Sequence, residues 1–279
     1  MSSGPALSRL PGAQRIVAAL RRARERRFRR RLAGPKLLDS FAERHPEAFF
    51  VEVGSNDGER FDHLKRVIHE HEWRGVMVEP VPYVFERLRR NYGGFERIEL
   101  ENAAIADRDG HLPLYHLREA TPEERERLPS WYDAIGSFSR ESVLGHAREI
   151  PDIAERVVEA QVPCLTFDSL CRKHRVERLD LLVTDTEGYD FELLRNIDLA
   201  AHHPRLIVYE HFHLSPEDRA ACRDYVRGVG YETMEEGFDT WCLDAGVDDD
   251  VTRTWRGLRP GLPGVSAADE ADRVTVSAS

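Results

Sequence analysis

Carboxylates and imidazoles stand at the ends of apolar runs along this chain. "FFVEV" leads into Gly54-Ser55-Asn56-Asp57-Gly58, "GVMV" into Glu79, "LLVT" into Asp185-Thr186-Glu187-Gly188, and "LIVYE" into His211-Phe212-His213. Such side chains can hold cations, accept hydrogen bonds from sugar hydroxyls, or take a proton from a reacting group. In an open α/β sheet, ligands bind outside the carboxyl ends of the strands, near the point where strand order reverses. Asn102 and Ala103, at the end of a further run, would join the same rim. Ordinary strands also end on polar residues, so one such end says little and five along one rim say more.

The glycine loop narrows the ligand. A dinucleotide site calls for G-x-G-x-x-G. Here Asn56 stands where the second glycine would let the backbone touch a pyrophosphate. Glu52, Asp57 and Glu59 add negative charge, which disfavours a phosphate and suits a cation at short range. S-adenosylmethionine (SAM) has no phosphate and carries a sulfonium and an ammonium, so it fits this loop. Asp57 could equally cap the following helix. Glu79, 25 residues after Gly54, can accept both cis-hydroxyls of a ribose, a contact that nicotinamide dinucleotides and SAM share. Asn102 and Ala103 would line an adenine pocket, or form a plain strand-end turn. The expected cofactor-binding set is Glu52, Gly54, Asn56, Asp57, Gly58, Glu79, Asn102 and Ala103.

Hydrophobic periodicity predicts the elements that would position these residues. Strands are expected at 49–53, 74–79 and 97–105. Between them fall a helix over 59–72, with Phe61, Leu64, Val67 and Ile68 on one face, and a helix over 82–92. A short helix at 35–44 precedes them. The stretch 110–165 is less regular. Its alternation at 111–117 predicts an extra strand, Thr121-Pro122 starts a helix, 139–149 reads as another, and "VPCL" as an edge strand. Regular alternation then resumes. A strand ends at Asp185, "YDFELLRNI" is helical, a strand ends near Glu210, and a helix runs from Ser215-Pro216 to about Arg227. "GYETMEE" and "DTWCLD" form a closing antiparallel pair. The strand–helix repeat predicts an α/β fold with a doubly wound sheet, mostly parallel with an antiparallel closing strand.

A chain of 279 residues can bury a core without disulfide or metal staples. Its four cysteines show no CxxC pair and no zinc spacing, which suits free thiols in a reducing compartment. No apolar run reaches the roughly 20 residues of a membrane span, and no apolar leader is evident, so a cytoplasmic location is expected. The net charge of −10 hides an asymmetry: residues 1–31 hold ten arginines and one acid, Glu25, leaving −19 on the remainder. That remainder argues against a nucleic-acid partner. The expected organisation is a basic helical arm at 1–34, a catalytic domain at 35–245 with an insert at about 110–165, and a disordered tail at 246–279. The arm reads as a solvated segment, or as one that touches a membrane surface or RNA.

"VEVGSNDG", "GVMVEP", "ENAAIAD", "GSFSRE", "VPCLTFDSL" and "LLVTDTEGYDFELL", in this order, resemble the FkbM family of SAM-dependent methyltransferases. The resemblance covers roughly residues 48–244, and the Asp185-Thr186-Glu187-Gly188 step is its most specific part. It implies the class I methyltransferase (Rossmann-like) fold, SAM contacts at the Gly54–Gly58 loop and at Glu79, and transfer to a hydroxyl of a sugar, lipid or secondary metabolite. The arm and the tail inherit nothing from it.

Methyl transfer is an in-line displacement at a carbon already activated by the sulfonium. The protein must align the acceptor oxygen, which can supply up to roughly 7–11 kcal/mol, and take the hydroxyl proton, for about 10²–10⁴-fold. Asp185, Glu187 and His211 are the expected catalytic residues, with Glu210 and His213 as further candidates for the base. Asp185 and Glu187 could instead serve the next helix as cap and first-turn acid, and His211 could be a packed or surface histidine in a chain that holds twelve. If the strand continues past Glu210, His211 and His213 point to one side and Glu210 to the other. No metal ligand is assigned, although Asp185, Glu187 and Glu210 could hold Mg²⁺ through oxygens. Trp131 to Phe138 could close as a lid, with Trp131 and Tyr132 on substrate, although these aromatics read slightly better as packing the insert onto the sheet. A nicotinamide-dependent oxidoreductase and a non-catalytic binding protein remain as alternatives on the same sheet. Nothing in the sequence sets the oligomeric state.

Overall fold

The computed structural model describes residues 32–60 and 62–258. The basic arm, apart from residues 32–34, and the tail beyond 258 therefore lie outside the described residues, as does Phe61. Helix α1 (Ala33–Arg44) leads into strand β1 (Phe49–Val53), helix α2 (Lys65–Glu70), strand β2 (Arg74–Val78), helix α3 (Pro82–Tyr92) and strand β3 (Ile98–Glu101). The insert follows, with strands β4 (Ala104–Ile105), β5 (Gly110–Leu117), β6 (Gly136–Ser137) and β7 (Val157–Leu165). It also carries the short helices α4 (Pro122–Arg125), α5 (Arg140–Leu144) and α6 (Ile153–Arg156). Then come helix α7 (Phe167–Lys173), strand β8 (Leu181–Thr184), helices α8 (Asp190–Asn196) and α9 (Leu199–His202), strand β9 (Leu206–Glu210) and helix α10 (Pro216–Gly228). Strands β10 (Glu232–Glu236) and β11 (Asp239–Leu243) and helix α11 (Asp250–Leu258) complete the described chain.

The main sheet has seven strands in the order β10-β11-β9-β8-β1-β2-β3. β1, β2, β3, β8 and β9 pair in parallel, and β11 runs antiparallel to both β9 and β10. This is the doubly wound α/β sheet the periodicity predicts. Its order reverses between β1 and β8, which makes the carboxyl ends of these two strands the natural ligand crevice. Both faces are buried, so side chains alternate between two cores. Phe50, Met77, Leu181, Val183, Leu206, Val208 and Trp241 pack with α1, α3 and α11. Val51, Val76, Val78, Leu182, Ile207, Tyr209 and Cys242 pack with α7, α8 and α10.

Several sequence expectations are corrected. The helix expected over 59–72 is limited to 65–70, because the acids and glycine before it form a hydrogen-bonded turn. The strand expected at 97–105 breaks at Asn102-Ala103, with β3 joining the main sheet and β4 joining a second one. That second sheet builds the insert, in the order β4-β7-β5-β6. β7 is thus no short edge strand: it pairs with β5 along eight residues, Gly110↔Cys164 to Leu117↔Val157. The helix expected over 139–149 splits into α5 and the 3₁₀ turn Gly145–Arg148. Finally, the tail is ordered to residue 258. α11 buries Val251, Thr252 and Trp255 against α1.

Candidate active site at the strand-end rim

The cofactor side of the rim is built on backbone turns. Gly54 has φ +88°, and a Cβ there would lie 1.8 Å from the carbonyl oxygen of Asp185. Only glycine lets β1 and β8 converge this closely at their ends. Gly58 has φ +68°, and a Cβ there would strike Tyr92. Asn56 also adopts a left-handed conformation, φ +49°, and donates its N–H to Glu79 Oε2 at 3.0 Å. Glu79 Oε1 accepts from the Val81 N–H at 2.8 Å. Two backbone donors thus aim this carboxylate, leaving lone pairs on both oxygens. Burial pushes Glu79 up to about 7, against the pull of the Val81 and Asn56 N–H groups. Asn102 fixes the same turn by donating to the carbonyls of Glu79 and Pro80, and Ala103 is fully buried beside it.

Two expected cofactor acids behave differently. Asp57 spends its oxygens on its own turn: Oδ1 accepts from the N–H groups of Glu59 and Arg60, and Oδ2 from Arg60 Nε. It caps this turn rather than the following helix, which starts only at Lys65, and its charge is met by Arg60. Glu59 is exposed and paired with Lys65. Glu52 is buried, and its Oε2 has no partner. The same holds for Oδ2 of Asp62, a residue that no sequence signal singles out. Burial first, and then the nearby Asp62 charge, hold the Glu52 carboxyl well above its ordinary range; burial pushes Asp62 up to about 6. Two unsatisfied carboxylate oxygens in one place ask for a proton or a cation.

The other side of the rim gathers acids around an imidazole. Asp190 organises its first turn: Oδ1 accepts from Thr184 Oγ1, and Oδ2 from both the N–H and the hydroxyl of Thr186. The turn then passes through left-handed Glu187 (φ +53°) and Gly188 (φ +98°), which aims the Glu187 side chain at the end of β9. There His213 Nδ1 lies 2.9 Å from Glu210 Oε2 and 3.2 Å from Glu187 Oε2. Burial, and then repulsion from neighbouring carboxylates, push the Glu187 and Glu210 carboxyls well above their ordinary range. Desolvation within the rim, and then Asp190 and Asp239, push Asp185 upward too. Asp185 is exposed, so solvent tempers that push.

His211 is not part of this group. β9 ends at Glu210, and the chain turns at once, with Leu214 N–H bonding back to the His211 carbonyl. The alternation expected beyond Glu210 therefore fails. His211 stays buried behind β11, with Nδ1 2.8 Å from Thr240 Oγ1, while His213 swings over to Glu210. Burial, and then Arg219, push His211 down to about 4. The structure thus brings together Asp185, Glu187, Glu210 and His213 and leaves His211 out.

The insert closes over both sides. Arg60 donates to the Ser130 carbonyl and reaches Asp133, which Arg87 and Arg125 also bind. Asn56, Arg60, Ser130, Trp131, Asp133 and Ala134 line a cleft there. Tyr132 packs into the core of the insert, with its hydroxyl on the Arg118 carbonyl, and does not face substrate. Trp131 packs on His146, whose ring meets that of His213 at 5.6 Å. Sequence reasoning missed His146, because no periodicity links a histidine in an irregular insert to a strand end some 65 residues on.

Residues 52–233 match the Methyltransferase FkbM domain. Among solved structures, the chain is similar to a methyltransferase FkbM from Methylobacillus flagellatus KT, at 12% identity and a TM-score of 0.46, over 71% of this chain and 44% of that one. It is also similar to the METTL16 MTase domain, at 11% identity and 0.39, over 74% of this chain and 63% of that one. A third is a putative RNA methyltransferase from Pyrococcus horikoshii, at 9% identity and 0.37, over 76% and 81%. The chain spans less than half the length of the first of these. No curated protein matches it.

Proposed function

Since the chain belongs to the FkbM family of methyltransferases, we propose that it transfers the methyl group of SAM to a hydroxyl oxygen of a sugar, glycolipid or secondary metabolite. The observation that carries this reading is the division of labour on the rim. A glycine turn with an aimed, buried carboxylate, Glu79, stands on one side of the switch point, and a proton-accepting cluster stands on the other.

The residues present fit SAM. Glu79 keeps acceptor capacity for ribose hydroxyls, and the orphaned oxygens of Glu52 and Asp62 suit a cationic methionine half. When bound, SAM supplies an activated methyl carbon. The chain's own residues do the rest. Gly54 and Gly58 let the backbone approach closely, Glu79 and Asn102 fix the nucleoside end, and the insert excludes water. Asp185, Glu187, Glu210 and His213 hold the acceptor hydroxyl and take its proton. Free buried thiols and SAM use both accord with a cytoplasmic location. Among the described residues, no helix is long and apolar enough to cross a membrane.

The test is calorimetry with SAM and with NADH, followed by transfer of isotope-labelled methyl to a panel of sugars, lipids and polyketide-type alcohols. SAM binding and a labelled ether product are expected. Binding of NADH without SAM would sink the cofactor assignment. Saturating SAM with no labelled product across the panel would sink the transfer.

A further inference from the structure

His146, Glu187 and His213 bring two imidazoles and a carboxylate to one point, with one donor atom from each within 4.8 Å of the others. They come from three separate pieces of chain: the 3₁₀ turn Gly145–Arg148 of the insert, the turn after β8 and the turn after β9. Donors held about 2.1 Å from one ion stand at most about 4.2 Å apart, so small side-chain shifts would close the set. His213 Nδ1 is already 3.2 Å from Glu187 Oε2 and 2.9 Å from Glu210 Oε2, spacings of neighbouring ligands.

A second observation is the charge. Asp185, Glu187 and Glu210 converge here, and the groups of opposite charge that face them among the described residues are imidazoles, His213 beside Glu187 and Glu210 and, farther off, His63 toward Asp185. Among the described residues no lysine or arginine pairs with them, whereas Asp57 is met by Arg60, and Asp133 by Arg87 and Arg125. Glu210 is buried and Glu187 partly so, and carboxylates withdrawn from water without a full counter-charge are costly.

From this convergence we infer that the chain has a site for a divalent first-row transition ion of the Mn²⁺ or Zn²⁺ class, held by His146, Glu187 and His213, with Glu210 as a further oxygen donor. Two imidazoles beside carboxylates select such an ion over Mg²⁺, which takes oxygen ligands. The donor set differs from the all-carboxylate set Asp185, Glu187 and Glu210 that strand-end acids alone would offer to Mg²⁺. The site lies on the acceptor side of the rim. There the ion would bind the acceptor oxygen and ease loss of its proton, which then passes to Asp185, the carboxylate not spent on the ion. That role rests on the methyl-transfer reading; ion binding itself does not. Because His146 belongs to the insert, the ion would also tie the insert to the sheet.

The experiment uses the full chain, untagged and stripped with a chelator. Mn²⁺ is titrated with free ion followed by electron paramagnetic resonance, and Zn²⁺ by calorimetry. One ion per chain is expected. His146→Ala and Glu187→Gln should each weaken it by at least about 10-fold, the loss seen even for outer-shell changes at metal sites. His111→Ala, exposed on the second sheet, should bind as wild type. Ion binding should also protect the insert from proteolysis in wild type and not in His146→Ala. Melting of the metal-free variants shows that they fold. Absence of stoichiometric uptake by wild type, or wild-type affinity in both variants, overturns the site. SAM binding is measured on the same metal-free protein. Metal uptake without SAM binding would strike only the proposed function, and SAM binding without metal uptake only this site.

Discussion

The two sides of the rim hold their carboxylates in opposite ways. On the cofactor side the backbone holds two of them, Glu79 by the N–H groups of Asn56 and Val81 and Asp57 by those of Glu59 and Arg60, while Glu52 and Asp62 each keep an orphaned oxygen. On the acceptor side they face one another and an imidazole, Glu187 and Glu210 both reaching His213 Nδ1. A group fixed by backbone donors stays put whatever the ligand does, which suits binding. A cluster of raised carboxyls around an imidazole can change protonation with little movement, which suits proton transfer.

Gly54 joins the two sides, and its loss should have the largest effect. Gly54→Ala must clear 1.8 Å to the Asp185 carbonyl at a positive φ. Roughly 3 kcal/mol or more of stability should disappear in chemical denaturation, with SAM binding lost as well. A variant of wild-type stability would show that the strand ends are not locked together.

Next in size is His213→Ala, which strikes the acceptor side alone. Turnover should fall about 10²–10⁴-fold while SAM affinity stays within about twofold. Equal losses in both would erase the proposed division.

Glu79→Ala is the mirror image, weakening SAM by on the order of 1–3 kcal/mol in calorimetry. The pH dependence has a definite sign. Without ligand, Glu79 keeps its proton up to about pH 7. A cationic cofactor favours the ionised form, so below that pH binding must expel a proton. SAM affinity should therefore strengthen as pH rises from 6 toward 7, by at most about tenfold per pH step of one, and then level off. Glu79→Ala should flatten this profile, and a profile unchanged by the substitution would assign the titration to another acid.

The contrast between the sides also shows what a sequence reveals. The strands, the switch point and Glu79 follow from periodicity and local turn signals, as do the glycines at 54 and 58, because their physics is contained in a few neighbouring residues. The acceptor side does not. Whether His211 or His213 faces the site depends on the residue at which β9 stops, and β11 decides that: the Phe238 carbonyl takes the His211 N–H, and Thr240 takes its ring. His146 and Asp62 reach the rim only through tertiary packing. Asp190, which sets the Asp185–Gly188 turn, resembles an ordinary first-turn acid of α8 in the sequence. Trp255 appears in a tail whose composition suggested disorder, yet α11 needs only one apolar face against α1 to be held.

His211 supplies the smallest functional effect and the sharpest check on that boundary. Buried behind β11 and away from Glu187, it should leave turnover and SAM affinity within about twofold when changed to alanine. Its cost should fall on stability, about 1–2 kcal/mol for the lost Thr240 bond and packing. Its pH signature is equally specific. The folded chain holds His211 neutral down to about pH 4, whereas the unfolded chain protonates it near 6.5. Acid therefore favours the unfolded chain from about pH 6.5 downward, and the penalty stops growing near pH 4. Between pH 7 and 5 wild type should lose on the order of 2 kcal/mol more than His211→Ala, since each tenfold rise in proton concentration below pH 6.5 costs about 1.4 kcal/mol. Denaturation curves of the two proteins at both pH values read this difference directly. Parallel losses would mean that His211 titrates in solvent, and a collapse of turnover in His211→Ala would return it to the catalytic group.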